Sequence, residues 1–231
     1  MQRDLGYEDG RLRVRPGEPR TLGAPGLHRL GPDDERDGLL YLPACHLANR
    51  PAPLAVMLHG AGGNAQHGLV PLMPLADEAG IVLLATESRG QTWDVIMGGF
   101  GPDVEVLDRA LLETFDRCAV DPARLAVGGF SDGASYALSL GITNGDLFTH
   151  VIAFSPGFLA PAGQEGAPRL FVSHGRGDRV LPVEACSRKI VPRVQSVGYD
   201  VTYHEFEGGH SVPPEIAREA VDWFLSRGGE G

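Results

Sequence analysis

The sequence predicts an α/β protein: a doubly wound, mostly parallel sheet with antiparallel strands at its N-terminal end. Three observations predict it. Apolar runs centred on 54–58, 81–85, 125–127, 151–154 and 170–172 have the make-up of strands covered on both faces. Apolar residues at helical spacing fill the stretches between them, and alternating strands and helices wind a parallel sheet with right-handed crossovers. The front of the chain lacks that alternation and reads as an antiparallel hairpin or meander.

In chain order, residues 1–10 are a polar lead-in, expected to be partly disordered. Arg11-Leu12-Arg13-Val14-Arg15 alternates and stops at Pro16-Gly17, as an edge strand does. Residues 26–30 and 39–42 read as strands around an acidic turn at 31–38. Strand 54–58 exits into His59-Gly60-Ala61-Gly62-Gly63-Asn64, and a helix over 66–79 ends near Gly80. Strand 81–85 leads to a loop at 88–101. Pro102 then opens a helix that runs to about Cys118. Asp121-Pro122 turns the chain into strand 125–127. A helix follows at 134–140, broken by Asn144-Gly145. Strand 151–155, a Pro- and Gly-rich loop at 156–168, strand 169–174 and a helix over 182–197 come next. Strand 200–206 and a closing helix from Pro213-Pro214-Glu215 complete the pattern.

At 231 residues the chain suits one core, and no repeat or linker divides it, so a single domain over 1–231 is expected. The net charge is −10 and no Lys/Arg run occurs, which disfavours nucleic acid and anionic membranes as partners. No stretch reaches the length of a membrane span, and the first ten residues carry acids and no apolar core, unlike a signal peptide. Cys45, Cys118 and Cys186 are scattered and odd in number. They read as thiols in a reducing cytoplasm rather than as a disulfide framework or a zinc site. No metal and no cofactor is expected. A homodimer is left open.

The chemistry centres on Gly128-Gly129-Phe130-Ser131-Asp132-Gly133. This G-x-S-x-G pattern, with Gly129 and Gly133 as its glycines, lies between a strand pattern and a helix pattern. Such a nucleophile elbow reverses a strand into a helix in one tight turn and lifts the serine hydroxyl above the sheet. A serine hydroxyl is a weak nucleophile, so it needs a base and a carboxylate that orients the base. Both are found at later strand exits, in the order Ser, Asp, His. Asp178 follows strand 169–174 through Gly175-Arg176-Gly177, and His210 follows strand 200–206 through Glu207-Gly208-Gly209. His174 breaks that order, His204 lies inside a strand, Asp200 is at the wrong strand end, and Asp132 points into its helix. All four read as structural. The loop 59–63 is the oxyanion-hole candidate, with the amides of Ala61 and Asp132 as donors, or Gly62 in place of Ala61. His59 reads as a brace for that loop. A phosphate-binding role is disfavoured, because neither G-x-G-x-x-G nor a following Lys-Ser/Thr occurs.

With those segments in view, the chain resembles the α/β-hydrolases. Within that fold it resembles the phospholipase/carboxylesterase family and its dienelactone-hydrolase-like, small bacterial serine esterases. The resemblance rests on Leu58-His59-Gly60-Ala61-Gly62-Gly63-Asn64, on Gly128 to Ser135, on His174-Gly175-Arg176-Gly177-Asp178-Arg179-Val180-Leu181-Pro182, and on Phe206-Glu207-Gly208-Gly209-His210-Ser211-Val212-Pro213-Pro214. It implies the same roles for Ser131, Asp178 and His210, with Ala61 and Asp132 as amide donors. Dienelactone hydrolases use cysteine where Ser131 stands here. Acyl-protein thioesterases carry a longer segment than the one at 88–101.

The loop 156–168 is too short for a cap domain, so an open, shallow site is expected. Trp93, Met97, Phe100, Phe158 and Leu181 lie on exit loops and are the candidates to line it. The expected function is a cofactor-free serine carboxylesterase acting on short-chain or small aryl esters. The alternatives are a polyester depolymerase or feruloyl-type esterase, or an acyl thioesterase with the same triad. Peptidase action is disfavoured for want of a cap or propeller. A non-catalytic binding protein is disfavoured by the intact Ser, Asp and His.

Overall fold

The computed structural model describes residues 7–31, 38–47 and 50–226. Its eight strands are β1 (Gly26–Leu30), β2 (Gly38–Leu42), β3 (Ala52–Leu58), β4 (Val82–Thr86), β5 (Val120–Phe130), β6 (His150–Phe154), β7 (Arg169–Gly175) and β8 (Val201–Phe206). They form one sheet in the order β1-β2-β4-β3-β5-β6-β7-β8. β1 pairs with β2, and β2 with β4, antiparallel; every later pairing is parallel. The helices are α1 (Ala65–Leu69), α2 (Met73–Ala79), α3 (Asp94–Met97), α4 (Pro102–Arg117), α5 (Asp132–Thr143), α6 (Ser187–Ser196) and α7 (Pro214–Leu225).

The continuous apolar runs follow from double coverage. Along β3, Leu54, Val56 and Leu58 join residues of α4, α5 and α6 in one core cluster. Ala55 and Met57 point the other way, into a cluster with α1, α2 and α7. α4 forms where Pro102 stands at the first helical positions, with Asp103 and Glu105 in the first turn and Arg117 in the last, each on the favourable end of the helix dipole.

Five expectations change. Residues 11–15 form no strand. Their backbone instead takes side-chain partners: Leu12 N donates to Asn144 Oδ1 (2.8 Å), Arg13 N donates to Asp108 Oδ1 (2.8 Å), and Asn144 Nδ2 donates to the Gly10 carbonyl (2.8 Å). The helix over 66–79 is two helices, α1 and α2. Asn64 caps α1, accepting from His67 N, and Pro71, which has no N–H, lies in the break. The loop at 88–101 contains α3. β5 runs straight through Asp121-Pro122, with a register shift opposite 52–54. The helix expected from 182 starts at Ser187, after turns.

Of the lead-in, residues 1–6 lie outside the described residues; Tyr7 is anchored by its hydroxyl to Asp108 Oδ2 (3.0 Å). The acidic turn falls on 32–37, also outside them. The loop 156–168 carries no helix, so it builds no cap. Among the described residues, no helix is long and apolar enough to cross a membrane.

Candidate active site

β5 ends at Phe130 and α5 begins at Asp132, so Ser131 alone makes the reversal, at φ 59° and ψ −120°. That left-handed backbone is strained for any residue with a Cβ. Hydrogen bonds hold it: Ser131 N donates to the Phe154 carbonyl (2.9 Å), and Ala134 N and Ser135 N donate to the Ser131 carbonyl. A Cβ at Gly133 would strike the carbonyl oxygens of Leu58 and His59, and one at Gly129 would strike the Gly133 carbonyl. β3 and the elbow therefore touch backbone to backbone.

Ser131 Oγ lies 2.9 Å from His210 Nε2, and His210 Nδ1 lies 2.6 Å from Asp178 Oδ2. The loops that carry the two partners run against each other. Gly177 N donates to the Gly208 carbonyl (2.8 Å), and Arg176 N donates to the Phe206 carbonyl (2.9 Å). A side chain at Gly175 would collide with the Gly208 and Gly209 carbonyls. Asp178 is 5% exposed. Burial pushes its carboxyl pKa up, but the Leu181 amide (2.8 Å), His210 and the Val180 amide (2.9 Å) outweigh burial and hold it below the ordinary value.

The rival residues have other partners. His174 is fully buried; its Nδ1 meets Ser187 Oγ (2.6 Å), and its Nε2 meets the Leu181 carbonyl (2.7 Å) and Asp178 Oδ2 (3.3 Å). It braces the acid from behind. His204 pairs with Glu219 and stacks on Phe171. Asp200 pairs with Arg169. Asp132 Oδ2 accepts from Thr92 Oγ1 (2.6 Å).

The backbone of Gly60 lies against Ser131. Ala61 follows on an exposed turn, and among the described residues its amide has no acceptor. The Asp132 amide, in the first turn of α5, has no acceptor within the helix. His59 braces the turn. Ser88 N donates to its Nε2 (3.1 Å), so the ring proton is on Nδ1 and is donated to the Gly60 carbonyl (2.7 Å). Burial lowers the pKa of this imidazole and keeps it neutral.

Sequence reasoning missed a second brace, the segment 88–93. Besides Ser88 and Thr92, Gln91 accepts from Gly62 N (2.9 Å), and Trp93 Nε1 donates to the His59 carbonyl (2.9 Å). One short segment thus ties both carriers of the candidate amides, loop 59–63 and Asp132. Its own base is Asp103, whose carboxylate accepts from Arg89 N (2.6 Å) and Asp94 N (2.7 Å), while Asp94 accepts from Asp103 N (2.9 Å). These are contacts between loops, and nothing in local sequence signals them.

The substrate-lining expectations are corrected in part. Trp93 is 1% exposed, its ring packed between His59 and Tyr136, and Phe100 is buried on Tyr136. Both are core, because the loop folds back over α5. Met97 is exposed, and Phe158 and Leu181 are half-buried. None of the five lines the cavity that does adjoin the site. That cavity, of about 450 Å³, lies between α1–α2 and α7 and reaches Gly60, Phe130 and His210, so the site is less shallow than expected.

A strained serine between a parallel strand and a helix, hydrogen-bonded to a histidine–aspartate pair, defines a candidate serine hydrolase site. The comparisons with known proteins are concordant. The family model for phospholipase/carboxylesterase matches residues 104–226, more than half of the chain, and the chain belongs to that family. It is 28% identical to a probable feruloyl esterase C of Aspergillus oryzae over 178 residues, which cover 73% of this chain and 63% of that relative. It is 28% identical to acyl-protein thioesterase 1 of Gibberella zeae over 116 residues, 46% of this chain and 48% of the other. The chain thus spans less than two thirds of the length of these curated relatives. Among solved structures, esterase PE8 superposes with a TM-score of 0.65 at 24% identity, covering 80% of this chain and 96% of that one.

Proposed function

We propose that this chain is a serine carboxylesterase that hydrolyses short-chain or small aryl esters through an acyl-enzyme. The observation that carries the reading is the continuous hydrogen-bond line from Ser131 Oγ through His210 to Asp178. His210 Nε2 takes the hydroxyl proton as Oγ attacks the ester carbonyl. The imidazolium that forms is stabilised and oriented by the Asp178 carboxylate, whose lowered pKa keeps it ionised at neutral pH. Negative charge on the carbonyl oxygen falls to the amides of Ala61 and Asp132, where one such donor is typically worth about 3–4 kcal/mol. His210 then returns its proton to the leaving alkoxide, and water repeats the sequence to release the acid. The three free thiols, with Cys45 exposed, support a reducing compartment.

The test is hydrolysis of p-nitrophenyl esters from acetate to palmitate by the wild type and by Ser131→Ala, with fluorophosphonate labelling of both. Short chains should turn over fastest, and both turnover and labelling should vanish in the variant, a loss of at least about a thousandfold. Undiminished hydrolysis by Ser131→Ala would remove the elbow from the mechanism. The relatives' names support a second reading with the same machinery, on feruloyl esters or acyl thioesters. It is checked by running methyl ferulate and an acyl thioester beside the acetate.

A further inference from the structure

The cavity beside His210 has a chemical character of its own. None of the residues lining it is Asp, Glu, Lys or Arg. Its wall is mostly apolar, Leu75, Val212 and Ala217 together with three rigid prolines, Pro71, Pro74 and Pro214, and its polar members besides His210 are His67 and Ser211. Phe130 forms the end nearest the site, its ring centroid 4.6 Å from that of His210. A volume of about 450 Å³ is roughly three times the 150 Å³ of an apolar cavity that holds benzene. The occupant that fits is uncharged, apolar and larger than one ring.

Which half of an ester reaches it follows from the reaction, so this inference rests on the esterase reading above. Besides the serine oxygen, the tetrahedral carbon carries three groups. The oxyanion goes to the amides at Ala61 and Asp132. The leaving oxygen must come within reach of His210 Nε2, the atom that returns its proton. The cavity continues from His210 along the chain that follows it, through Ser211, Val212 and Pro214 to Ala217 on α7. The acyl group is left the remaining direction, for which the loops after β6 and β7, with half-buried Phe158 and Leu181, are the candidates.

We propose that this cavity binds the alcohol part of the substrate, and that the enzyme selects esters of bulky apolar alcohols, aryl- or cycloalkyl-bearing, with small acyl groups. A preformed, proline-walled pocket costs little ordering on binding, so added apolar bulk on the alcohol should appear as a gain in kcat/KM.

The experiment compares two ester series. One is the acetates of methanol, cyclohexylmethanol and 2-naphthylmethanol, all primary alcohols of similar leaving ability. The other is the methyl esters of acetic, cyclohexylacetic and 2-naphthylacetic acid. In the wild type, kcat/KM should rise at least about tenfold from methyl to naphthylmethyl acetate, the low end of what one methylene in such a pocket is worth. It should not rise along the acid series. Leu75→Trp should bring the alcohol ratio close to one. Val70→Trp, at the solvent-exposed rim of the cavity, does the same without touching the core, and guards against a Leu75 variant that fails to fold. A gain along the acid series that Val70→Trp removes would assign the cavity to the acyl group and overturn the proposal. Flat ratios in both series, with Ser131 still labelled by fluorophosphonate, would overturn the pocket alone. No turnover of any ester and no labelling would sink the esterase reading and the pocket with it.

Discussion

The two flanks of Ser131 are built on opposite principles. On the α4 flank, segment 88–93 and its Asp94–Asp103 base fill the space with buried rings and hydrogen bonds, and tie loop 59–63 and Asp132 in place. On the α7 flank, between α1–α2 and α7, mostly apolar side chains enclose a cavity of about 450 Å³. The roles proposed for the two flanks account for the difference. Stabilising an oxyanion needs dipoles that do not reorganise, so their carriers are locked. Holding part of a substrate needs room, and mostly apolar walls suit an apolar group.

The harshest way to break the comparison is Gly133→Ala. Its Cβ would collide with the Leu58 and His59 carbonyls, at the seam where the locked flank meets the elbow. We expect little or no folded protein, read as loss of soluble expression and of a cooperative melt. Next come paired truncations. Trp93→Ala, in the filled flank, should cost about 3–5 kcal/mol, whereas Leu75→Ala, beside existing empty space, should cost about 2 kcal/mol. Urea titration of both variants measures the gap, and equal costs would erase the distinction between the flanks.

A milder change tests the electrostatics of the lock. Burial and the neighbouring Asp103 push the Asp94 carboxyl up to about 6. The folded state therefore holds this proton more tightly than the unfolded chain, and the group's contribution to stability falls as pH rises from about 4 to about 6. Asp94→Asn should remove that decline and leave the variant on the order of 2 kcal/mol better off at pH 8 than at pH 4, relative to wild type. Thermal melts at both pH values check it. The smallest expected effect is Thr92→Val. Freeing the Asp132 carboxylate should lower kcat about tenfold with KM little changed, and Thr92→Ser should restore it.

The sequence carried the sheet well because its central strands are buried on both faces, and such runs need no partner to be recognised. The elbow was legible for a related reason: backbone contact between β3 and Gly133 admits only glycine, and that leaves a mark in the sequence. The meeting of His210 and Asp178 beside Ser131 followed from strand order. What escaped was held by distant side chains. Residues 11–15 alternate like a strand, yet Asp108 and Asn144 claim their amides. Trp93 and Phe100 sit on a loop, but the loop folds onto Tyr136, and residues near in sequence say nothing of that. The cavity was invisible because it is a space between three helices, marked by no residue type.

The lacing of the chain's front has a consequence for synthesis. Leu12 bonds to Asn144, 132 positions later, and Gly10 to the same side chain, 134 positions later. At roughly 5–20 residues per second, the ribosome emits these partners about 7–27 s apart. Leu12, 1% exposed in the finished protein, must wait through that interval without its permanent cover. The segment that buttresses the C-terminal end of α5 is thus made well ahead of its partner and docks only after Asn144 has emerged.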